Sequence, residues 1–223
     1  MGASVPEMPK PVDDAGRRRG ADVHRLGFAG DDAALVAALR RGDPGAPASL
    51  YDRHAPYLRR VIARVLGVDD EIPEVLQETF AQALASLDGL DDPRRLRAWL
   101  VRVAVFTARG VIRKRRRQRW LRFRAPEQVP EAPQAARDPE ARLMLRRVYE
   151  VVERMPEKER VPFALRYFEG MELVDVADAC AVSLATIKRR LKKARHRFAA
   201  LAERDPLLRE RVRASPHFGV DDG

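Results

Sequence analysis

Three prolines, Pro126, Pro130 and Pro133, sit among Glu, Gln and Ala between Phe123 and Asp138 and interrupt a chain that otherwise keeps helical spacing from Asp31 to Arg204. Proline has no N–H to give a helix and holds its neighbour extended, so a segment of this composition joins helical blocks rather than continuing them. Period-two alternation is found in neither block. The expected fold is therefore all-α: two small helical domains, a helical bundle and a helix-turn-helix domain, joined by a flexible Pro-containing linker. The expected division is a flexible arm over 1–30, a first domain over 31–122, the linker over 123–138, a second domain over 139–204 and a short polar tail over 205–223.

In the first block, Asp31 or Asp32 can cap a short helix that stops near Gly42-Asp43-Pro44. A second helix spans about Ala48 to Leu66, with Leu50, Ala55, Leu58, Val61, Ile62 and Val65 inward, and ends at Gly67. A third accepts Pro73 in its first turn and runs to about Leu87, with Ile72, Leu76, Phe80, Ala83 and Leu87 at helical spacing. Asp92-Pro93 reads as an N-cap followed by proline at the first helical position, opening a long helix toward Gln118. The second block divides into about Pro139–Met155, Pro156–Phe168, Glu172–Ala179 and Ser183–Arg204, with Pro206 ending it.

Charge identifies the class of partner. Lys and Arg total 43 against 33 Asp and Glu, a net +10, which calls for an anionic partner. Nine of the cations fall between Arg109 and Arg124 and seven between Lys188 and Arg197, with no acid in either window, and the remaining 27 are outnumbered by the acids. An acidic protein carrying two separate basic surfaces suits nucleic acid better than a lipid coat. No apolar stretch approaches the roughly 18 residues of a membrane span, so no membrane insertion is expected, and a cytoplasmic place is. A single cysteine, Cys180, excludes an intramolecular disulfide and a thiolate zinc cluster, and no cofactor or metal is implied.

Leu173, Val176, Ala177 and Cys180 form one apolar face, a turn follows at Ala181-Val182, and Ser183 is a natural N-cap for the next helix. Turns of this kind often contain Gly, so Ala181 permits a slightly different one. At about 100° per residue, Ile187, Leu191, Ala194, Phe198 and Leu201 share a stripe only about 80° wide. Opposite lie Ala185, Arg189, Lys192, Lys193 and His196, flanked by Lys188, Arg190, Arg195 and Arg197. A helix with a narrow inward stripe and cations elsewhere fits a major groove, where Arg and Lys donate to guanine and neighbouring cations meet phosphates.

The long helix carries a different face. Leu96, Leu100, Val103, Ala104, Thr107 and Val111 define its inward side, and Arg102, Arg109 and Arg113 lie opposite, beside Phe106 and Trp99. Cations beside aromatic rings are the arrangement that holds unstacked bases. Packing between helices is the better reading for Trp99 and stacking for Phe106. The preceding helix instead turns Glu74, Gln77, Glu78 and Gln82 outward, a face that DNA would repel and that suits a protein partner.

Taken in order, Glu74-Val75-Leu76-Gln77-Glu78-Thr79-Phe80, Trp99-Leu100-Val101-Arg102-Val103-Ala104 and the basic run after them resemble region 2 of bacterial RNA polymerase sigma factors. Val182-Ser183-Leu184-Ala185-Thr186-Ile187-Lys188-Arg189-Arg190-Leu191 resembles the recognition helix of region 4. The short linker is similar to that of the compact extracytoplasmic-function class, and the resemblance covers about residues 31–204. It implies a specificity subunit that binds core RNA polymerase through the β′ clamp helices and the β flap, and promoter DNA at two elements. By the same resemblance Glu74, Gln77 and Glu78 meet the clamp helices. Trp99, Arg102, Phe106, Arg109 and Arg113, with the loop around Asp88–Asp92, hold the melted −10 strand. Ala185, Lys188, Arg189, Arg190, Lys192, Lys193 and His196 face the −35 element. An anti-sigma protein is a further possible partner. The chain departs from the family pattern at Phe106, Gly110 and Arg189, so neither promoter sequence carries over.

Sixteen linker residues at about 3.4 Å each reach roughly 50 Å, more than one DNA turn of about 34 Å. Two alternatives compete with this reading. A stand-alone helix-turn-helix regulator would have no use for the acidic face. A nuclease built on Asp69, Asp70 and Glu71 fails because consecutive carboxylates on a helix diverge rather than converge on one metal.

Overall fold

Asp31 opens the first helix by accepting a hydrogen bond from the Ala34 N–H at 2.8 Å. Gly42 closes it in the left-handed conformation at φ 76°, sending its N–H back to the last turn. The computed structural model describes residues 30–67, 70–121 and 139–214. The arm before Gly30, Asp69, the linker over 123–138 and the end of the tail expected from the sequence lie outside the described residues.

The first block consists of α1 (Asp32–Arg41), α2 (Ala46–Leu66), α3 (Ile72–Ala85) and α4 (Leu96–Leu121). All six expected inward residues of α2 are buried. On α3, Leu76, Phe80 and Ala83 are buried, as is Leu87 just beyond it, with Ile72 half-buried. Asp92 accepts from the Arg94 N–H at 3.0 Å, and Pro93–Arg95 form one tighter turn before α4 begins. The second block consists of α5 (Pro139–Glu153), α6 (Glu157–Phe163), α7 (Leu173–Ala179), α8 (Leu184–Ala202) and α9 (Pro206–Ala214). Among the described residues every regular element is helical.

Three expectations are corrected. The single helix expected over Pro156–Phe168 is α6 followed by a wider i→i+5 turn over Ala164–Phe168. Pro162 inside α6 has already removed one N–H from the helical ladder. Pro206 does not end the block but begins α9: Asp205 accepts from the Leu207 and Leu208 N–H groups at 2.9 and 3.3 Å. Proline at the first helical position starts a helix as readily as it stops one. The helix-turn-helix turn also keeps its usual shape with alanine in it. Ala181 takes φ 53°, its N–H reaches the Asp178 carbonyl, and the Val182 N–H reaches the Ala177 carbonyl at 3.0 Å. This is the pattern that normally recruits glycine, and an L-residue holds it against a strain of about 1–2 kcal/mol.

The two blocks share one core. A contiguous cluster of buried side chains runs from Leu35 through Leu58, Leu76 and Leu100 into Leu165, Val176, Cys180 and Ile187. A second cluster, with Phe163, Phe198, Val152 and Leu208, lies wholly within the second block. α4 is enclosed by α2 and α3 and also by α6 and α7. It therefore buries a strip absent from the expected one, Val101, Val105, Ala108 and Ile112, beside the expected Leu96, Leu100, Ala104 and Thr107.

His54 of α2 is buried, with its Nε2 at 3.4 Å from Asp32 Oδ1. Burial is the largest influence on the imidazole and holds its pKa below the ordinary 6.5 despite the Asp32 carboxylate. A histidine with a depressed folded-state pKa contributes stability that is complete above pH 6.5 and is lost as pH falls through the folded value. The midpoint of thermal unfolding is accordingly expected to fall between about pH 7.5 and pH 5.5, and by a smaller amount in His54→Leu. Equal falls in both proteins would show that His54 is not the titrating group.

Candidate nucleic-acid interface

α8 presents its two faces as its sequence dictates. Ile187, Leu191, Ala194 and Phe198 are buried, while Leu201 is only half-buried and Ala202 takes the last inward place. Ser183 caps the helix, its Oγ accepting from the Thr186 N–H at 3.3 Å. Ala185, Lys188, Arg189, Lys192, Lys193 and His196 are exposed and Arg190 is half-buried. Among the described residues none of these cations has an ion-pair partner, so the face is an uncompensated block of positive charge. Arg197, a flanking cation expected to meet phosphate, is exposed but already paired with buried Glu159, Nε to Oε2 at 2.6 Å.

On α4 the expected strand-binding residues are placed unequally. Phe106 is 62% exposed and Arg102 is exposed, whereas Trp99 is half-buried and packs against the core. With Gln82, Arg109 and Cys180 they line a groove of about 620 Å³ between α4 and the end of α7. Arg109 is withdrawn from solvent. Its Nε donates to Glu157 at 2.5 Å and its Nη1 to the Cys180 carbonyl at 3.4 Å. Arg113 stays more open, 3.6 Å from the same Glu157. The Cys180 thiol is buried, which pushes its pKa up to about 11. At neutral pH it is therefore a small apolar side chain rather than a nucleophile.

Glu74, Gln77 and Glu78 are exposed together on α3, and Gln82 donates to Glu78 at 2.8 Å. Glu71, one of the carboxylates weighed for a nuclease, is bound to Arg115. Among the described residues no cluster of His, Cys, Asp and Glu could hold a metal ion. No described helix is long and apolar enough to cross a membrane.

Sequence reasoning missed a set of contacts between the two blocks. Arg60 forms a two-pronged pair with Glu169 at 2.8–3.1 Å, with the Glu169 side chain only 7% exposed. Arg95 meets Asp178 at 2.8 Å. Arg160, 5% exposed, donates to the carbonyls of Val65 and Leu66 at 3.0 and 2.8 Å, satisfying the open end of α2 from another part of the chain. The one local sign of this was a charged pair, Glu159-Arg160, directly before the apolar run from Val161 to Leu165.

Residues 50–120 match the family model of Sigma-70 region 2, and residues 145–198 that of Sigma-70, region 4. The RNA polymerase sigma factor NccH of Alcaligenes xylosoxydans xylosoxydans is 30% identical over 178 residues, which cover 77% of this chain and 95% of NccH. The chain belongs to the sigma-70 family. Within it, this is a sigma factor of the extracytoplasmic-function class. The RNA polymerase sigma-H factor of Pseudomonas aeruginosa is 29% identical over 188 residues, 80% of this chain and 96% of that protein. The solved structure of CnrH in complex with the cytosolic domain of CnrY aligns with a TM-score of 0.55 at 28% identity, covering 78% of this chain and 98% of CnrH. As a sigma factor, the chain directs RNA polymerase to initiate transcription at specific promoters and has no catalysis of its own. The stand-alone regulator is not favoured.

Proposed function

We propose that the two basic surfaces divide promoter recognition, with region 2 over 31–122 and region 4 over 139–204 as the working modules, α9 extending the second. The outward face of α8, Ala185, Lys188, Arg189, Arg190, Lys192, Lys193 and His196, reads the duplex of the −35 element. The α4 face, Trp99, Arg102, Phe106, Arg109 and Arg113, takes the melted −10 strand, with cations along the phosphates and Phe106 as a stacking platform. Glu74, Gln77 and Glu78 dock on the β′ clamp helices, and region 4 reaches the β flap. The place of work is the cytoplasm. CnrH is solved in complex with the cytosolic domain of CnrY, and an anti-sigma partner is proposed for this chain on that likeness.

The observation that carries this reading is the unpartnered cation block on α8, set outward by the buried stripe of Ile187, Leu191, Ala194 and Phe198. Mixing the purified chain with core polymerase and fragmented genomic DNA is expected to yield run-off transcripts from a defined set of start sites. If no site in the genome is used above the level of core polymerase alone, the reading is wrong.

A further inference from the structure

The cations of α8 are not equivalent, because the rest of region 4 claims them unequally. Lys188, Lys192 and Arg195 recur along one flank of the helix and, with Arg166, Tyr167 and Leu173, line a cleft of about 400 Å³ beside it. Arg166 is fixed there, its Nη1 donating to the Met171 carbonyl at 2.8 Å. On the other flank Arg197 is paired with Glu159, and Arg190 is half-buried, near enough to Cys180 for its charge to act on the thiol. Between the flanks, Ala185, Arg189 and His196 lie within about 20° of the line opposite Ile187. All three are exposed, and Ile187 is fully buried. That line is the part of the helix that goes deepest into a groove.

Base edges are met by the N-terminal residues of a recognition helix, which narrows the choice to the first two turns. Leu184 and Ala185 have no side-chain donor. The half-buried Thr186 shares a hydrogen bond with the Ser183 hydroxyl at 2.9 Å. Lys188 belongs to the cleft flank and Arg190 to the covered one. Arg189 is left. It is exposed, it has no ion-pair partner among the described residues, and it stands one turn beyond Ala185, whose single methyl group lets the helix come close. Lys193 and His196 lie farther from the N-terminus by one and two turns. A guanidinium that reaches a base edge there makes its best pair with guanine, donating to O6 and N7 together.

The geometry points to Arg189 as the specificity-determining residue of α8: it reads one guanine of the −35 duplex, while Lys188, Lys192 and Arg195 hold neighbouring phosphates and carry no sequence information. This rests on the assignment of α8 to the −35 element.

The test reconstitutes the full-length chain with core polymerase on a promoter taken from its own start sites. The base pairs of the −35 region are randomised, each template carries a barcode within the transcript, and the transcripts are sequenced. Guanine is expected to be preferred at one position at least ~10-fold over every other base. Arg189→Ala is expected to bring that preference within ~2-fold and to leave the other positions as they are, and Arg189→Gln to move it to adenine, whose N6 and N7 suit an amide. Because Arg189 is exposed, neither substitution touches the fold. Lys192→Ala is expected to lower transcription from all templates alike, since a phosphate contact is blind to sequence. An Arg189→Ala or Arg189→Gln protein that still demands guanine at that position, or a Lys192→Ala protein that loses the preference, overturns the proposal and leaves α8 on the duplex. Active transcription by the unaltered chain with no preference at any randomised position overturns the assignment of α8 and the proposal with it.

Discussion

Reversing Glu74 and Glu78 to lysine is expected to reduce transcription from the chain's own promoters at least ~100-fold while its affinity for free DNA is kept or raised. Both side chains are exposed on α3 and neither takes part in the core, so the fold is spared. Their removal also frees Gln82, which donates to Glu78 in the native protein. If α3 docks on a basic surface of polymerase, two lysines place like charges in contact at a cost of several kcal/mol, and every ~1.4 kcal/mol is tenfold in affinity. Co-sedimentation with core polymerase and run-off transcription read the effect directly. Full transcription by the double variant would move the polymerase contact off α3.

Phe163→Ala carries the largest expected cost in stability, about 4 kcal/mol, from lost apolar contact and the cavity left behind. Phe163 is fully buried, stacked on Phe198 with ring centroids 5.0 Å apart and close to Tyr167 and Phe168 at 4.7 and 5.7 Å. It joins α6 to the inward side of α8, so its loss loosens the support of the recognition helix. Denaturant unfolding is expected to show the deficit and duplex binding to fall with it. Phe106→Ala provides the contrast: that ring is 62% exposed, and its removal is expected to change stability by no more than ~0.5 kcal/mol. A Phe163→Ala protein as stable as Phe106→Ala would place the core of region 4 elsewhere.

The parts of the fold governed by local periodicity were legible in the sequence. The inward residues of α2, the caps at Asp31, Asp92 and Ser183, and the inward and outward faces of α8 follow from a 3.6-residue repeat and from side chains that bond backbone next to them. α9 was also within reach, because Asp205-Pro206 repeats the signal read correctly at Asp92-Pro93. The second buried strip of α4 was not. It is inward only because α6 and α7 return from beyond the linker to cover it, and alternating Val and Ala look the same on a covered face as on an open one. The acids that meet α4 and α2 were hidden for the same reason. Arg60 and Glu169 are 109 positions apart and Arg95 and Asp178 are 83 apart, and pairing over such distances leaves no repeat in the chain.

The chemical types at the junction between the modules decide which changes in the cell can reach it. Arg60, Arg95, Arg109, Arg113 and Arg160 face Glu157, Glu169, Asp178 and two backbone carbonyls. The nearby Cys180 thiol, raised to about 11 by burial, adds no charge to the junction at neutral pH. Ionic strength acts on the more open pairs, such as Arg95–Asp178 with side chains 62% and 38% exposed, and much less on the buried Arg160 contact. A rise in salt concentration therefore loosens the junction from its open rim inward and leaves the buried Arg160 anchor until last.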